Sequence, residues 1–164
     1  MLWNFGMSFY VFEIFPGSKN YFASKRIERL TGQRISVKNT FLYDEVGGIT
    51  GDGFTMFFYN LDDNQKLDLE KLKKYPIDEN KFKIIKWKKA PINSEDNILL
   101  ENAIAGNLEK NEDSLKTKEI ITYLRNESLN NKGYFSFLEQ KNRSINAIYI
   151  SISDGKFILL NSSW

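Results

Sequence analysis

Glycine and carboxylate residues cluster in the stretch EVGGITGDGF, residues 45–54, where they could contact an anion, a metal ion or a partner. A phosphate cradle uses backbone N–H groups at the start of a helix, but the next residues have the aromatic and β-branched composition of a strand. A calcium loop needs a run of Asp and Asn oxygens and a closing Glu, which this stretch lacks. We therefore predict a hairpin loop. The residues that could also contact a ligand or partner there are Gly47, Gly48, Thr50, Gly51 and Asp52.

Three carboxylates, Asp44, Glu45 and Asp52, lie in or beside this loop. Paired carboxylates hydrolyse glycosidic bonds when they lie about 5–9 Å apart across a cleft. Close to a tight loop, they more often face water or accept backbone hydrogen bonds. A small hydrolase or ligand-binding protein that uses Asp52 with Asp44 or Glu45 is therefore our second functional hypothesis.

The chain contains no Cys and no His. This composition excludes zinc and haem sites that use those ligands. It also excludes cysteine nucleophiles and Ser-His-Asp triads. A general acid or base would have to be Asp, Glu, Lys or Tyr. We predict no metal and no cofactor, and the composition favours a non-catalytic protein.

A second candidate is the lysine-rich segment KFKIIKWKKA, residues 81–90, which contains Trp87 and no acid. Lysines beside an aromatic ring could contact phosphates and stack on a base. The following segment is acidic, however, and the net charge of the whole chain is only +2. Lysines also protect edge strands from aggregation. We predict an edge strand or extended segment, with Trp87 as a possible contact for an acidic protein partner and no nucleic-acid partner.

Residues 34–46 and 54–61 have the alternating pattern of half-buried strands. On this pattern, Val37 and Phe41 share one face of the first strand. The aromatic residues of the second strand either bury both of its faces or leave an apolar patch for a partner. Further strands are predicted at 8–15, 133–140, 144–153 and 156–164, with Asp154-Gly155 as a two-residue turn between the last two.

Four helices are predicted from helical spacing and from residues that can cap a helix. In these helices we expect Leu69, Ile98 and Leu115 to face the core. The helices cover 19–30, the segment after a cap at 62–64, 95–105 after a cap at Ser94, and 115–129 after a cap at Ser114.

The 164 residues, 41% of them hydrophobic, are sufficient for one packed domain. Strands flank a group of helices, a pattern typical of an α+β fold. We therefore predict a single α+β domain over 1–164, a mostly antiparallel β-sheet with about four helices packed on one face. Residues 1–17 would form an N-terminal strand or arm.

The motifs Thr31-Gly32, Gly47-Gly48, Gly51-Asp52-Gly53, Trp87 to Pro91 and Gly133-Tyr134-Phe135 occur in order along the chain. From about residue 18 to the C-terminus this pattern resembles a family of small uncharacterised bacterial proteins, many of them predicted lipoproteins or proteins of phages and plasmids. The family's loop reads His-Gly-Gly-Phe-His-Gly-Asp-Gly. Here Val46 and Thr50 stand where the family has histidines, Ala90 replaces a Leu, and no lipoprotein Cys is present. The family implies no activity that can be transferred to this chain.

The small size, mixed charge and high aromatic content together favour a protein–protein interaction module. An immunity or inhibitor protein that neutralises a toxin or enzyme is the most specific form of this hypothesis. No apolar run reaches the roughly 20 residues of a membrane-spanning helix. The N-terminal segment also lacks the basic residues and cleavage site of a signal peptide. We therefore expect a bacterial cytoplasmic protein rather than a secreted or lipid-anchored one, and the sequence does not define an oligomeric state.

Overall fold

A computed structural model of the protein describes residues 18–47, 52–74, 82–84, 86–105, 115–140 and 145–163. The predicted strand at 8–15 lies outside these residues. Within them the chain forms helices and strands in the order α1 (Ser18–Thr31), β1 (Val37–Gly47), β2 (Asp52–Leu61), α2 (Leu69–Lys74), β3 (Phe82–Ile84), β4 (Lys88–Lys89), α3 (Ser94–Ile104), α4 (Leu115–Leu129), β5 (Tyr134–Gln140), β6 (Ile145–Ser151) and β7 (Lys156–Ser163).

The strands form one antiparallel sheet in the order β1-β2-β7-β6-β5-β3, and β4 also pairs with β5. The predicted α+β fold with a mostly antiparallel sheet is therefore confirmed. The segment at 81–90 does lie at an edge of the sheet, as predicted, where β3 and β4 pair with β5. No helix in the described part of the chain is long and apolar enough to cross a membrane.

The helices divide between the two faces of the sheet. Tyr149 of β6 belongs to an apolar cluster that contains Leu100 of α3 and Leu124 of α4. The next residue, Ile150, belongs to a second cluster that contains Ile27 of α1. Because successive strand residues point to opposite faces, the two clusters lie on opposite sides of the sheet. The prediction that the helices pack on one face is therefore wrong. The physical reason is that β6 and β7 carry apolar side chains on both faces, and helices must pack on both faces to remove these side chains from water.

A register shift in β1 reverses part of the predicted strand pattern. The pairing with β2 is irregular between Val37 and Asn39. One extra residue in a strand turns all later side chains to the other face. Val37 accordingly packs in the second cluster, whereas Phe41 packs against the first. The prediction that these two residues share a face is wrong.

Two helix caps lie close to, but not at, the predicted residues. The carboxylate of Asp68 accepts the backbone N–H groups of Glu70 and Lys71, so α2 begins at Leu69 and is not capped at 62–64. The side chain of Asn93, not Ser94, caps α3. Ser114 lies outside the described residues.

Some helix residues predicted to face the core are exposed to solvent. The exposed fraction is 60% for Ile98 and 77% for Leu115, and Leu69 is also exposed. The turn between β6 and β7 is also longer than predicted. It contains four residues, 152–155, because Ser151 pairs with Lys156. Gly155 adopts a φ of 60°, which favours glycine.

Candidate partner-binding edge

Strand β1 is a long edge of the sheet. It contains 11 residues and pairs with β2 on one side. Among the described residues, no strand pairs with its other side. Strands β3 and β4 at the opposite edge contain only 3 and 2 residues. Short, lysine-bearing edges are protected against further pairing, so β1 is the described edge best suited to accept another strand.

The hydrogen bonds at the end of β2 define which β1 residues face outward. The backbone N–H of Leu61 donates to Gly155 on the β7 side at 2.8 Å, whereas that of Asp62 donates to Ser36 on the β1 side at 3.0 Å. Backbone groups of an antiparallel strand alternate between its two neighbours. The even-numbered residues of β2 therefore bond to β1. Through the register, the backbone groups of alternate β1 residues point away from β2. These outward-directed residues are Thr40, Leu42, Asp44 and Val46.

Helix α1 covers only the beginning of this edge. The side-chain amide of Asn20 donates to the carbonyl of Lys38 at 2.9 Å. The hydroxyl of Ser24 donates to the carbonyl of Ile35 at 2.6 Å. The remaining nine residues of β1, 39–47, span about 30 Å at about 3.4 Å per residue. We call this segment the free edge.

A polar groove of about 660 Å³ lies where the free edge begins. Its lining includes Lys38, Asn39 and the two turns at 62–65 and 152–155. The ammonium group of Lys156 bonds to the side chain of Asn60, which in turn bonds to that of Asn39. This chain of hydrogen bonds holds the groove wall in place next to the first residue of the free edge.

The groove is connected to a buried polar network through Asp154. The hydroxyl of Tyr123 donates to the Asp154 carboxylate at 3.1 Å and lies 3.3 Å from the hydroxyl of Tyr149. Tyr149 donates to the buried carboxylate of Glu127 at 3.0 Å. Burial raises the pKa of the Tyr123 and Tyr149 phenols above their usual value, because the charged form is disfavoured away from water. Both phenols therefore remain protonated at neutral pH.

Glycine at position 133 makes room for this network. A Cβ atom there would lie 2.2 Å from Cε2 of the Tyr149 ring. Real Cβ atoms do not approach other atoms so closely, so any larger residue would displace the ring. The structure thus provides a steric reason for glycine at this position.

Of the six predicted contact residues, the structure describes Gly47, Asp52 and Trp87, and Trp87 lies far from the other two. Gly47 pairs with Asp52 at the end of the β1–β2 hairpin, which confirms the predicted hairpin. Gly48, Thr50 and Gly51 lie outside the described residues. Trp87 is half-buried, packs against the second cluster and precedes β4 at the opposite edge. Five spacings of about 4.8 Å, or about 24 Å in all, separate β4 from β1.

The carboxylates of the hydrolase hypothesis lie near the end of the same hairpin. In the register, Asp44 pairs with Thr55 and Glu45 with Phe54. The positions of their side chains are outside the described structure, so this hypothesis stays a prediction. Among the described residues, no three acidic side chains group closely enough to hold a metal ion.

The free edge, the groove and the tyrosine network were not identified from the sequence. The alternating pattern of residues 34–46 predicts a strand but not its place in the sheet, which depends on distant pairings. The network could have been suspected from one signal. Glu127 occupies a position at helical spacing from Ile120 and Leu124, on the apolar side of α4.

Comparison of the chain with models of known protein families gives no match, and neither do comparisons with curated proteins and solved structures. The geometry of the free edge and the polar groove is therefore the basis for a functional inference. The resemblance to the family of bacterial proteins with a glycine-rich loop stays a prediction.

Proposed function

We propose that the protein is a non-catalytic interaction module that binds a strand of a partner protein along the free edge of β1. The observation that carries this proposal is the row of outward-directed backbone groups at Thr40, Leu42, Asp44 and Val46. Each of these residues offers one N–H donor and one carbonyl acceptor. In strand addition, such main-chain hydrogen bonds supply the affinity, and contacts with alternate side chains supply the specificity.

Structural features at both ends of the free edge limit the length of the partner strand that can pair with it. At one end, the polar groove presents lysine, amide and carboxylate groups next to Asn39. At the other end, Gly47 and Asp52 close the hairpin. The C-terminal end of an antiparallel partner strand would lie beside the groove, because antiparallel strands run in opposite directions. We infer that the polar residues after the partner's strand enter the groove.

The test of this proposal uses proline at an outward position. Thr40→Pro removes an N–H that is not part of the β1–β2 ladder. We expect this variant to remain folded and to lose partner binding. Thr40→Val, which keeps the N–H, should retain binding. Phe41→Pro removes an N–H of the β1–β2 ladder and should destabilise the fold measurably more than Thr40→Pro.

The partner is to be identified in the native host by a photo-reactive residue placed at Lys38, which is exposed at the start of the edge. The matched control carries the same group at Asn126, which is exposed on α4. We expect one protein to be cross-linked from position 38 and not from position 126, and this cross-link to disappear in Thr40→Pro. Equal cross-linking from both positions, or no effect of the proline, would contradict the proposal.

An immunity or inhibitor protein is the more specific form of this proposal. Strand addition would hold a toxin or enzyme against the edge and obstruct its active region. The activity of the identified partner should then fall on addition of the wild-type protein and recover with Thr40→Pro. A partner whose activity does not change would restrict the function to scaffolding or assembly.

A further inference from the structure

A second groove, of about 340 Å³, lies between α1 and the sheet face opposite α3 and α4. Leu30 of α1, Leu138 of β5 and Leu159 of β7 line its apolar part. Leu138 and Leu159 are only 4% and 9% exposed, whereas Phe22, which also lines the groove, is 41% exposed. Its volume falls within the range of about 300–1,000 Å³ that is typical of small-molecule sites. Such sites are mostly apolar, with a few polar groups that orient the ligand.

Three cationic side chains of α1, those of Lys25, Arg26 and Arg29, line the same groove. Arg26 is fixed in place, because it donates to the hydroxyl of Tyr59 at 2.7 Å and lies 3.7 Å from the centre of the Phe57 ring. The ammonium group of Lys25 pairs with Glu28 at 2.8 Å. Neither arginine makes an ion pair with another described residue, but Arg26 is held by Tyr59 and Phe57, whereas Arg29 makes no hydrogen bond or ring contact within the described residues. The guanidinium of Arg29 is therefore available for an anionic group.

We propose that this groove binds a soluble long-chain carboxylate, with the acyl chain on the leucine surface and the carboxylate at Arg29. An arginine guanidinium binds a carboxylate through two parallel hydrogen bonds. Burial of the acyl chain contributes about 0.8 kcal/mol for each methylene group removed from water. The groove uses neither the free edge of β1 nor the polar groove, so this inference is independent of the proposed partner binding.

Charge complementarity favours an anionic amphiphile over the other possible ligands. A cationic amphiphile would meet repulsion from Arg26 and Arg29, and a short carboxylate would leave the apolar part of the groove unfilled. A membrane phospholipid has a similar headgroup charge but carries two chains, whereas the groove volume suits one chain. The ligand is therefore a single-chain carboxylate free in solution.

The experiment is calorimetric titration of the full chain with dodecanoate below its micelle concentration. Butyrate tests the need for the chain, and dodecyltrimethylammonium tests the need for the negative charge. Arg29→Gln removes the proposed anchor, and Lys132→Gln removes an exposed cation in the segment after α4 as the matched control. Vesicles of phosphatidylglycerol test the membrane alternative, and NMR of the leucine methyl groups locates the ligand.

We expect saturable binding of dodecanoate with shifts at Leu138 and Leu159, no binding of the other two compounds, and affinity weakened about tenfold by Arg29→Gln but not by Lys132→Gln. Equal affinity of the two variants would overturn the proposal, as would equal binding of the cationic amphiphile. Binding to vesicles without saturable binding of dodecanoate would also overturn it.

Discussion

The hydroxyl of Tyr149 donates a hydrogen bond to the carboxylate of Glu127 across 3.0 Å, and the exposed fractions of the two residues are only 1% and 5%. This bond joins β6 to α4 in the interior of the protein. Through Tyr123, the same network reaches Asp154 at the polar groove. The buried network therefore links α4 to a residue that lines the polar groove.

Replacement of Tyr149 by Phe should destabilise the fold by about 1–3 kcal/mol, because the Glu127 carboxylate loses its buried donor. The matched control is Tyr134→Phe on β5, since Tyr134 is half-buried and its hydroxyl has no hydrogen bond with another described residue. The control should change the free energy of unfolding by less than about 0.5 kcal/mol. Urea denaturation measures both variants, and equal effects would contradict the structural role of the bond.

The stability should fall at alkaline pH. Burial raises the pKa of the Tyr59, Tyr123 and Tyr149 phenols in the folded state, while in the unfolded chain they titrate near pH 10. Above about pH 10 the unfolded state therefore loses protons that the folded state keeps. Each such tyrosine lowers the stability by up to about 1.4 kcal/mol per pH unit.

This alkaline loss is measured by urea denaturation between pH 8 and pH 12. The stability contributed by the tyrosines is fully present below about pH 10 and decreases as the pH rises toward the folded-state pKa. The slope above pH 10 should be smaller in Tyr149→Phe than in the wild type. An identical slope in both would show that Tyr149 does not keep its proton in the folded state.

Gly133→Ala should destabilise the protein by about 1–3 kcal/mol, because the new methyl group would overlap the Tyr149 ring. A double-mutant cycle with Tyr149→Ala tests this reason. In the background without the ring, the effect of Gly133→Ala should be much smaller, since contacting residues are strongly coupled. Additive effects of the two substitutions would indicate that backbone conformation, rather than the ring, requires the glycine.

Asn93→Ala should destabilise the protein by about 1 kcal/mol, because Asn93 accepts the N–H of Asp96 at 2.8 Å and caps α3. The neighbouring substitution Ser94→Ala should have little effect. Thermal unfolding of both variants distinguishes the observed cap from the one predicted from the sequence. A larger loss for Ser94→Ala would contradict the assignment.

Local periodicity predicted much of the fold correctly. The alternation in β2, β5 and β6 matches the two apolar clusters, and the glycine-rich stretch does connect paired strands. The aromatic residues of β2 also divide between the two clusters, which supports burial of both faces. These features depend on neighbouring residues, so a single sequence contains the necessary information.

The remaining features depend on interactions between distant segments. The irregular pairing between Val37 and Asn39 changes the faces of β1, and nothing in the alternating pattern marks it. The position of β1 at the edge depends on which strands pair elsewhere. The two-sided apolar character of β6 and β7 was visible in the sequence, and it would have indicated helices on both faces.

The last of the described strands, β7, lies inside the sheet between β2 and β6. Lys156 at its start contacts Asn60, which is synthesised 96 residues earlier. At about 5–20 residues per second, translation leaves the β1–β2 hairpin without its central neighbour for roughly 5–20 s. During that interval the apolar side chains of the β1–β2 hairpin are exposed on the nascent chain. A chaperone at the ribosome exit would therefore have a defined segment to bind.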